Sequence, residues 1–422
     1  MLFIYIIVGC LVFYIFLRAY LKIKLKFWFL QPVFHIYNIG LWLYPRGIIN
    51  PNLPLVNKYT NLFNIKTYAL GKMDESLLDR TCNFIANYYA QTRETSYCPT
   101  KSNIVDYLSC SNNESYVSIY QKPKMLFQRN HQNGHIMAEE ITAVITARPL
   151  TISFGKQHKQ PFQIYYVDNL CVRPDYRKKG LAPEMIQTHY HNLRQKNKKI
   201  QTCLFKREGE LNAIVPLTTF TTYLYEFTTG LLSKQSSTEN YTTIIEIGEN
   251  QMTIFNEFLD LQKNQFDCVI IPDLSNIMNL IKTGNIYLYG LLVNGVLEGL
   301  YAFRKASVYY KKEEVLECFL TINANANANA NANANANANA NANANANANA
   351  NANQQFIQGF NDTLQKLKNK INYKYILLED TSHSGCIIHA EQYKLIFKNP
   401  TAFFLYNYAS YTVKSNKMLL FY

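Results

Sequence analysis

The residues best suited to chemistry form one short basic segment, Arg177-Lys178-Lys179-Gly180-Leu181-Ala182. It follows a predicted strand at 163–172 and precedes a predicted helix at 181–194, whose first turn contains Pro183. Successive backbone N–H groups at a helix N-terminus bind anions, Gly180 permits close backbone approach, and three cations add attraction. The segment therefore favours a pyrophosphate, such as that of coenzyme A. A solvated basic turn is the alternative that the segment alone leaves open.

Metal and disulfide chemistry find little support in the cysteines and histidines. His189 and His191 are the closest histidine pair, and their spacing does not place both on one helix face. No CxxC pair occurs among the nine cysteines, at positions 10, 82, 98, 110, 171, 203, 268, 318 and 386. We expect no metal site and no disulfide framework, and the odd cysteine count fits a reducing compartment.

Bulk composition predicts a folded, basic protein. The chain has 422 residues, 48% of them hydrophobic, which suits one large or two medium domains. The net charge is +13, from 42 basic and 29 acidic residues, and this favours anionic partners such as phosphate-rich cofactors, acidic membranes or nucleic acid. The basic residues are spread widely and the aromatic ones mostly follow strand patterns, so we expect no nucleic-acid partner.

The N-terminal segment predicts a short membrane anchor at residues 1–25. An uncharged apolar run from Met1 to Leu17 is followed by Arg18, Lys22 and Lys24. The run is near the lower limit for spanning a bilayer, and basic residues after it predict that the rest of the chain faces the cytosol. A buried N-terminal helix is the alternative. A cleaved signal peptide fits less well, because no basic n-region or small-residue cleavage site is present.

Hydrophobic periodicity predicts an α/β fold with mixed β-sheets. Asn294-Gly295 between two apolar runs suits a type I′ hairpin turn. The Asn-Ala repeat at 323–353 has no large apolar side chain and is predicted to be a disordered insertion within a domain. Predicted helices lie at 73–92, 181–194, 274–282 and 354–370, and predicted strands at 116–120, 141–154, 163–172, 286–293, 296–304, 373–378 and 403–408.

Several segments together resemble protein N-myristoyltransferases. The basic segment is similar to the acyl-CoA loop of the GNAT acetyltransferase superfamily, and Lys26-Phe27-Trp28-Phe29-Leu30-Gln31-Pro32-Val33 resembles the arm that covers the coenzyme in the myristoyltransferases. Asn169-Leu170-Cys171-Val172 before the loop and Leu181-Ala182-Pro183 after it keep the family's order, and Phe404-Leu405-Tyr406-Asn407-Tyr408 resembles a closing strand. By itself the arm also fits an aromatic belt beside a membrane, with lysines that snorkel.

The resemblance implies a fold and an activity. It implies two tandem GNAT-like halves, at 57–230 and 231–422, behind an arm at 26–56, in a monomer. It implies transfer of a fatty acyl group, myristoyl in the family, from acyl-CoA to the N-terminal glycine amine of acceptor peptides or proteins. Acyl-CoA, here myristoyl-CoA, would be a co-substrate, with no permanently bound cofactor. The first half would bind the coenzyme and the second the peptide.

The resemblance also assigns roles to residues. Backbone amides around Asn169 and Leu170 would stabilise the thioester oxyanion, and the α-carboxylate of Tyr422 would accept the proton of the amine. The apolar ending Met418 to Tyr422 suits a buried terminus, although an ordinary final strand fits equally well. Coenzyme contacts would come from Lys26, Phe27, Trp28, Asn169, Leu170, Cys171, Val172, Arg177, Lys178, Lys179, Gly180, Leu181 and Ala182.

Four departures from the family leave two other functions open. Gly180 replaces a usual basic residue, and the Thr-Ala-Gly turn that recognises glycine is absent near 210–216. Glu226 replaces a histidine, and Lys398-Asn399 replaces an acidic, glycine-rich loop. The first alternative is a GNAT-type enzyme that transfers a short acyl group to an amine. The second is a non-catalytic protein that binds acyl-CoA as a scaffold.

Overall fold

A computed structural model describes residues 2–45, 47–92, 94–126, 136–155, 159–209, 213–227, 241–327, 339–390 and 393–422. The α-helices are α1 (Leu2–Leu25), α2 (Ile39–Leu43), α3 (Glu75–Tyr88), α4 (Lys101–Leu108), α5 (Leu181–Lys196), α6 (Met252–Gln262), α7 (Leu274–Lys282), α8 (Asn339–Lys368) and α9 (Gly385–Ile388). The strands are β1 (Gly47–Ile48), β2 (Ile65–Ala69), β3 (Thr95–Tyr97), β4 (Tyr116–Leu126), β5 (Ile136–Phe154), β6 (Lys159–Val172), β7 (Cys203–Glu208), β8 (Thr218–Glu226), β9 (Thr242–Ile247), β10 (Cys268–Ile271), β11 (Ile286–Val293), β12 (Val296–Tyr310), β13 (Glu313–Asn323), β14 (Tyr375–Glu379), β15 (Lys394–Tyr406), β16 (Tyr408–Ala409) and β17 (Met418–Leu420).

One mixed sheet runs through the molecule. Its main path has the order β17-β10-β5-β6-β7-β15-β8-β14-β13-β12-β11-β9, with β4 and β2 added beside β5 and β3 added beside β12. The pairs β10–β17, β6–β7 and β13–β14 are parallel, whereas β5–β6 and β12–β13 are antiparallel. This arrangement confirms the predicted α/β class with mixed strands. Because β15 lies between β7 and β8, late residues join the early strands to the rest of the sheet.

The locally specified elements agree with the sequence. Helix α7 has the predicted bounds, and α5 begins at the predicted Leu181. Helix α3 is capped by Asp74, whose carboxylate accepts a hydrogen bond from the Leu77 N–H at 3.3 Å. Between β11 and β12, Asn294 and Gly295 have φ values of 51° and 83°. Two consecutive positive φ angles are what a type I′ turn requires, so the predicted hairpin is confirmed.

The N-terminal apolar segment forms the helix α1. Arg18, Lys22 and Lys24 lie within this helix and limit its uncharged part. Among the described residues, no helix combines the length and the apolar character needed to cross a membrane. The predicted transmembrane anchor at 1–25 is therefore not supported. The predicted location at a cytosolic membrane face stays a prediction.

The Asn-Ala tract is ordered at both of its described ends. Predicted to be disordered throughout 323–353, it begins with a 3₁₀ turn at Ala324–Asn327 and ends in the backbone of α8, while residues 328–338 lie outside the described part. The Asn323 side-chain amide donates to Asn353 Oδ1 at 3.2 Å, so the two ends meet. Alanine has the highest helix propensity, and propagation from the amphipathic part of α8 costs less than nucleation. These terms explain the helix that the composition did not predict.

A buried polar chain joins α5 to β4 and β2. His189 Nδ1 lies 2.7 Å from Ser118 Oγ, and Ser118 Oγ lies 2.6 Å from Thr67 Oγ1. Asn192 on the next turn of α5 donates to Thr67 Oγ1 at 2.9 Å. His189 is only 1% exposed. The imidazole therefore fixes the helix that follows the basic loop, and it has a structural role rather than the metal-binding one.

Acidification should weaken the fold partly through His189. Burial lowers the pKa of His189 to about 3, whereas an unfolded histidine titrates near about 6.5. Between these values the unfolded chain binds a proton that the folded protein excludes, so the stabilisation is complete above about pH 6.5 and declines toward pH 3. We expect His189→Asn to flatten this decline in urea-unfolding free energies measured across pH. His389→Asn, at an exposed histidine, should keep the steeper wild-type profile.

Candidate active site

A cavity of about 930 Å³ lies between the early strands β5 and β6 and the later strand β12. Its volume is within the range of small-molecule and cofactor sites. Early strands contribute Arg148 and Asn169, β12 contributes Arg304, and Tyr422 closes one side. Other lining residues include Ile104, Leu108, Val308, Val315 and Leu377, which are apolar. The cavity therefore combines an apolar lining with a small set of charged groups.

A β-bulge in β6 presents the chain to this cavity. Val144 of β5 pairs with Cys171 of β6, and Thr146 pairs with Asp168. The two residues Asn169 and Leu170 therefore lie opposite the single residue Ile145. Asn169 has φ 52°, a left-handed conformation that asparagine tolerates. A bulge of this kind removes backbone groups from the ladder and aims them elsewhere. Asn169 and Leu170 both line the cavity, and the oxyanion role that the family resemblance implies for them stays a prediction.

The two bulge amides are not equivalent. The Asn169 N–H donates to Asp168 Oδ1 at 2.7 Å, and its side-chain amide donates to Thr146 Oγ1 at 3.1 Å. The Asp168 carboxylate also accepts from the Tyr89 hydroxyl at 3.4 Å. The Asn169 N–H is therefore occupied by the Asp168 carboxylate, and Leu170 is the other backbone donor of the bulge.

The last two residues of the predicted motif line the same cavity. Burial raises the pKa of the Cys171 thiol to about 12, so the side chain stays a neutral thiol near pH 7. A neutral thiol is a poor nucleophile, and this agrees with direct transfer rather than a covalent intermediate on Cys171. The Val172 carbonyl accepts a hydrogen bond from Arg177 Nε at 2.9 Å. Val172 thereby connects the bulge to the basic loop.

The basic loop contains one cation that bonds the backbone, Arg177, and two exposed lysines. Besides Val172, Arg177 bonds the Tyr88 carbonyl through Nη2 at 2.9 Å and so ties the end of α3 to the loop. Lys178 and Lys179 are exposed, and Lys179 lies over the Tyr176 ring. Gly180 has φ 87° at the N-cap of α5, which explains why glycine stands where a bulkier residue would be strained. The loop therefore lies directly at a helix N-terminus, and the anion site predicted there stays a prediction.

The first two residues of α5 have different surroundings. Leu181 is 7% exposed and packs with Ile65, Ile145 and Met185 in the core. Ala182, one residue later, lines the cavity. Ala182 therefore stays a candidate for coenzyme contact, while Leu181 anchors the helix.

Removing the loop lysines should weaken binding of coenzyme A without unfolding the protein. Each exposed lysine near a pyrophosphate contributes about 1 kcal/mol at low salt, so we expect Lys178→Ala with Lys179→Ala to raise the Kd more than about tenfold. The effect should shrink as salt is added. Calorimetric titration with coenzyme A checks this. Lys198→Ala with Lys199→Ala, an equal charge change at exposed positions beyond α5, is the matched control and should leave the Kd nearly unchanged.

Arg177→Ala should behave differently from the lysine variants. It removes the two hydrogen bonds to backbone carbonyls that join α3 and β6, which should cost about 1–3 kcal/mol of unfolding free energy. Urea unfolding of Arg177→Ala and of the double lysine variant makes the comparison. Equal stability of the two proteins would contradict a structural role for Arg177.

Tyr422 is fixed in the cavity by two charged pairs. A terminal oxygen of Tyr422 accepts a hydrogen bond from Arg304 Nη1 at 2.8 Å, while Arg304 holds Glu317 with two further bonds of 2.7 Å. The phenol donates to Glu379 Oε1 at 2.7 Å and accepts from Lys206 Nζ at 2.9 Å. Burial first, then the Glu379 charge, raises the pKa of the phenol, so it stays neutral. One terminal oxygen and the phenol of Tyr422, a residue that lines the cavity, are therefore both held in place.

The predicted arm lies elsewhere on the protein. Trp28 stacks on Phe205 at 5.8 Å, and Phe27 meets Tyr59 edge to face at 5.1 Å. Neither these residues nor Lys26 is among those that line the 930 Å³ cavity. The Gln-Pro-Val part of the arm docks on the end of β15, where the Pro32 carbonyl accepts from the Asn407 N–H at 2.6 Å. In this conformation the arm braces the sheet, and coenzyme contact by Lys26, Phe27 and Trp28 stays a prediction.

Seven charged residues that line the cavity were not predicted from the sequence: Arg148, Asp168, Lys206, Glu208, Arg304, Lys305 and Glu317. Arg148 interrupts the apolar strand 141–154, and Asp168 directly precedes the predicted motif, so both carried a signal of polarity within a buried strand. Lys206 lies in the short strand β7, and Glu379, with which it forms an ion pair, is far away in the chain. Only the pairing of distant strands brings these groups together.

Comparison with known proteins identifies the architecture. No protein-family model and no curated protein matches the chain. The matching solved structures include Saccharomyces cerevisiae N-myristoyltransferase with bound myristoyl-CoA, at 13% identity and a TM-score of 0.67, covering 92% of this chain and 94% of that one. A second structure of the yeast protein gives 13% identity and a TM-score of 0.69, with 94% of each chain covered. This chain has the N-myristoyltransferase fold.

The N-myristoyltransferase fold agrees with the predicted pair of GNAT-like halves. The proposed boundary between residues 230 and 231 and the missing glycine-recognition turn near 210–212 lie outside the described residues. Glu226, which stands in place of a histidine, forms ion pairs with Lys394 at 3.0 Å and Lys374 at 3.7 Å. Asn399 lines the cavity directly.

Proposed function

We propose that the protein is an N-acyltransferase that moves an acyl group from acyl-CoA to a primary amine. The observation that carries this proposal is the meeting of three features around one cavity: the bulge at Asn169 and Leu170, the basic loop through Arg177 and Ala182, and Tyr422, whose terminal oxygen is held by Arg304. The fold of yeast N-myristoyltransferase supports it. The finer proposal is a myristoyl donor and an N-terminal glycine acceptor.

The cavity residues suit direct transfer. The loop N–H groups, Lys178 and Lys179 hold the pyrophosphate, while the thioester carbonyl lies at the bulge and accepts from the Leu170 N–H. The amine nitrogen attacks the thioester carbon, the C–S bond breaks, and coenzyme A leaves as a thiolate that takes up a proton. The Tyr422 α-carboxylate accepts the proton released by the amine. Arg304 keeps that carboxylate oriented toward the cavity.

A transfer assay with the full chain tests this proposal. Myristoyl-CoA and acetyl-CoA are offered separately with peptides that begin with glycine, and both free coenzyme A and acylated peptide are measured. The matched control is the same peptide with an acetylated N-terminus. We expect myristoyl transfer to the free amine and none to the blocked one. Transfer of acetyl alone would support the short-acyl alternative, and tight acyl-CoA binding without transfer would support the scaffold.

A further inference from the structure

Arg148 is a buried cation that the proposed chemistry does not use. It lies on β5, lines the cavity, and is only 5% exposed. Its guanidinium lies over the rings of Tyr107 at 5.2 Å and Tyr166 at 5.5 Å. Burial is the main cause that lowers the pKa of Arg148, because the charged form loses its hydration. The side chain is therefore held between two aromatic faces at the wall of the site.

The nearby carboxylates already have other partners. Glu317 is held by Arg304 through two bonds, and Glu379 forms its ion pair with Lys206. Asp168 accepts from Asn169 and Tyr89 and affects Arg148 only through space. Within the described part of the chain, the structure records no hydrogen bond and no ion pair of Arg148. A buried guanidinium in this state is costly unless an anion joins it.

Arg148 and Tyr422, the residue whose α-carboxylate is proposed to receive the amine proton, line the same cavity and are connected through one aromatic ring. The Tyr166 ring that faces Arg148 also packs edge to face on the Tyr422 ring, with centroids 5.6 Å apart. The pyrophosphate site at Lys178 and Lys179 lies instead in exposed backbone before α5. An anion at Arg148 would consequently belong to the part of the substrate near the reacting amine. A planar guanidinium is well suited to hold a carboxylate with two parallel bonds.

We propose that Arg148 binds a carboxylate of the acceptor, so that the acceptor class is an amine with a carboxylate a few bonds away. Free amino acids and peptides whose first residues are acidic both have this chemistry. The inference rests on the proposed acyl transfer and adds its acceptor specificity. Arg148 then selects the acceptor, and Tyr422 receives its proton.

The test compares acceptors that differ in a single charge. Glycyl-aspartyl and glycyl-asparaginyl peptides, and free glycine and glycinamide, are offered with the acyl-CoA that the protein accepts. We expect the carboxylate member of at least one pair to have a kcat/KM at least tenfold higher, mainly through KM. Arg148→Gln should reduce that ratio to near one, and Arg148→Lys should restore part of it. A preference for the neutral members, or a ratio unchanged in Arg148→Gln, would overturn the proposal.

Three further measurements separate this proposal from others. Calorimetric binding of glycyl-aspartyl amide and glycyl-asparaginyl amide, which have no free C-terminal carboxylate, to wild type and Arg148→Gln reads the carboxylate site without turnover. A charge preference that disappears in the variant, without any transfer, would support the site and contradict the proposed function. Succinyl-CoA against butyryl-CoA tests the other substrate, and an Arg148-dependent preference there would overturn the acceptor assignment. Urea unfolding of Arg148→Met, which should be no less stable than wild type, excludes a purely structural role.

Discussion

A protein extended by one glycine after Tyr422 should bind acyl-CoA normally and transfer almost nothing. The extension replaces the α-carboxylate by a neutral amide at a residue that is 4% exposed and hydrogen-bonded to Arg304. General-base catalysis by a positioned group contributes about 10²–10⁴-fold, and we expect a loss of that size in kcat. Single-turnover transfer and calorimetric acyl-CoA binding, measured on the same protein, check the two halves of this expectation.

Tyr422→Phe is the matched control for the extension. It keeps the α-carboxylate and removes only the phenol bonds to Lys206 and Glu379. We expect kcat to fall by less than about tenfold, since the proposed base is still present and one hydrogen-bonding group is lost. If the extended protein transferred at the wild-type rate, the base would lie elsewhere, and Asp168 would be the next carboxylate of the cavity to replace.

Lys206→Met should be among the most destabilising single changes in the protein. Lys206 forms an ion pair with Glu379, whose side chain is fully buried and whose second oxygen has no hydrogen-bond partner among the described residues. Removing the cation leaves an uncompensated buried carboxylate, which typically costs about 3–5 kcal/mol. Urea unfolding at pH 7 measures this cost. The double variant with Glu379→Gln should recover much of it, because no buried charge then remains.

A surface pair provides the matched control. Lys370 and Glu246 form an ion pair in which both side chains are 46% exposed. Lys370→Met should cost less than about 1 kcal/mol, because solvent screens the charge that is left behind. Equal losses in Lys206→Met and Lys370→Met would contradict the importance of burial at Glu379.

The sequence predicted those features that depend on short stretches of chain. The Asn294-Gly295 turn and the helix that begins at Leu181 are specified by a few adjacent residues, and the structure places them as expected. The bulge at Asn169 was not predicted, although Asn169 and Leu170 were candidate site residues. Tyr422 was assigned to the site only through resemblance to a family; it lines the cavity, and its role stays a prediction.

The features that were missed depend on long-range pairing. Arg304 faces Glu317 because β12 and β13 pair in one register, and Lys206 meets Glu379 across residues far apart in the chain. Nothing in the local sequence fixes these registers. The helix in the Asn-Ala tract was missed for another reason. Low apolar content argues against a packed core but not against a helix of alanine and asparagine.

The order of strands in the sheet has a consequence for biosynthesis. Strand β7 is flanked by β6 and β15, and β10 by β5 and β17, so early strands pair with segments translated near residue 400 and later. Until the ribosome has released those segments, β7 and β10 each keep an unpaired edge. Exposed edges are templates for aggregation, and such distant pairings form slowly. The nascent chain should therefore depend on chaperones until residue 420 has emerged.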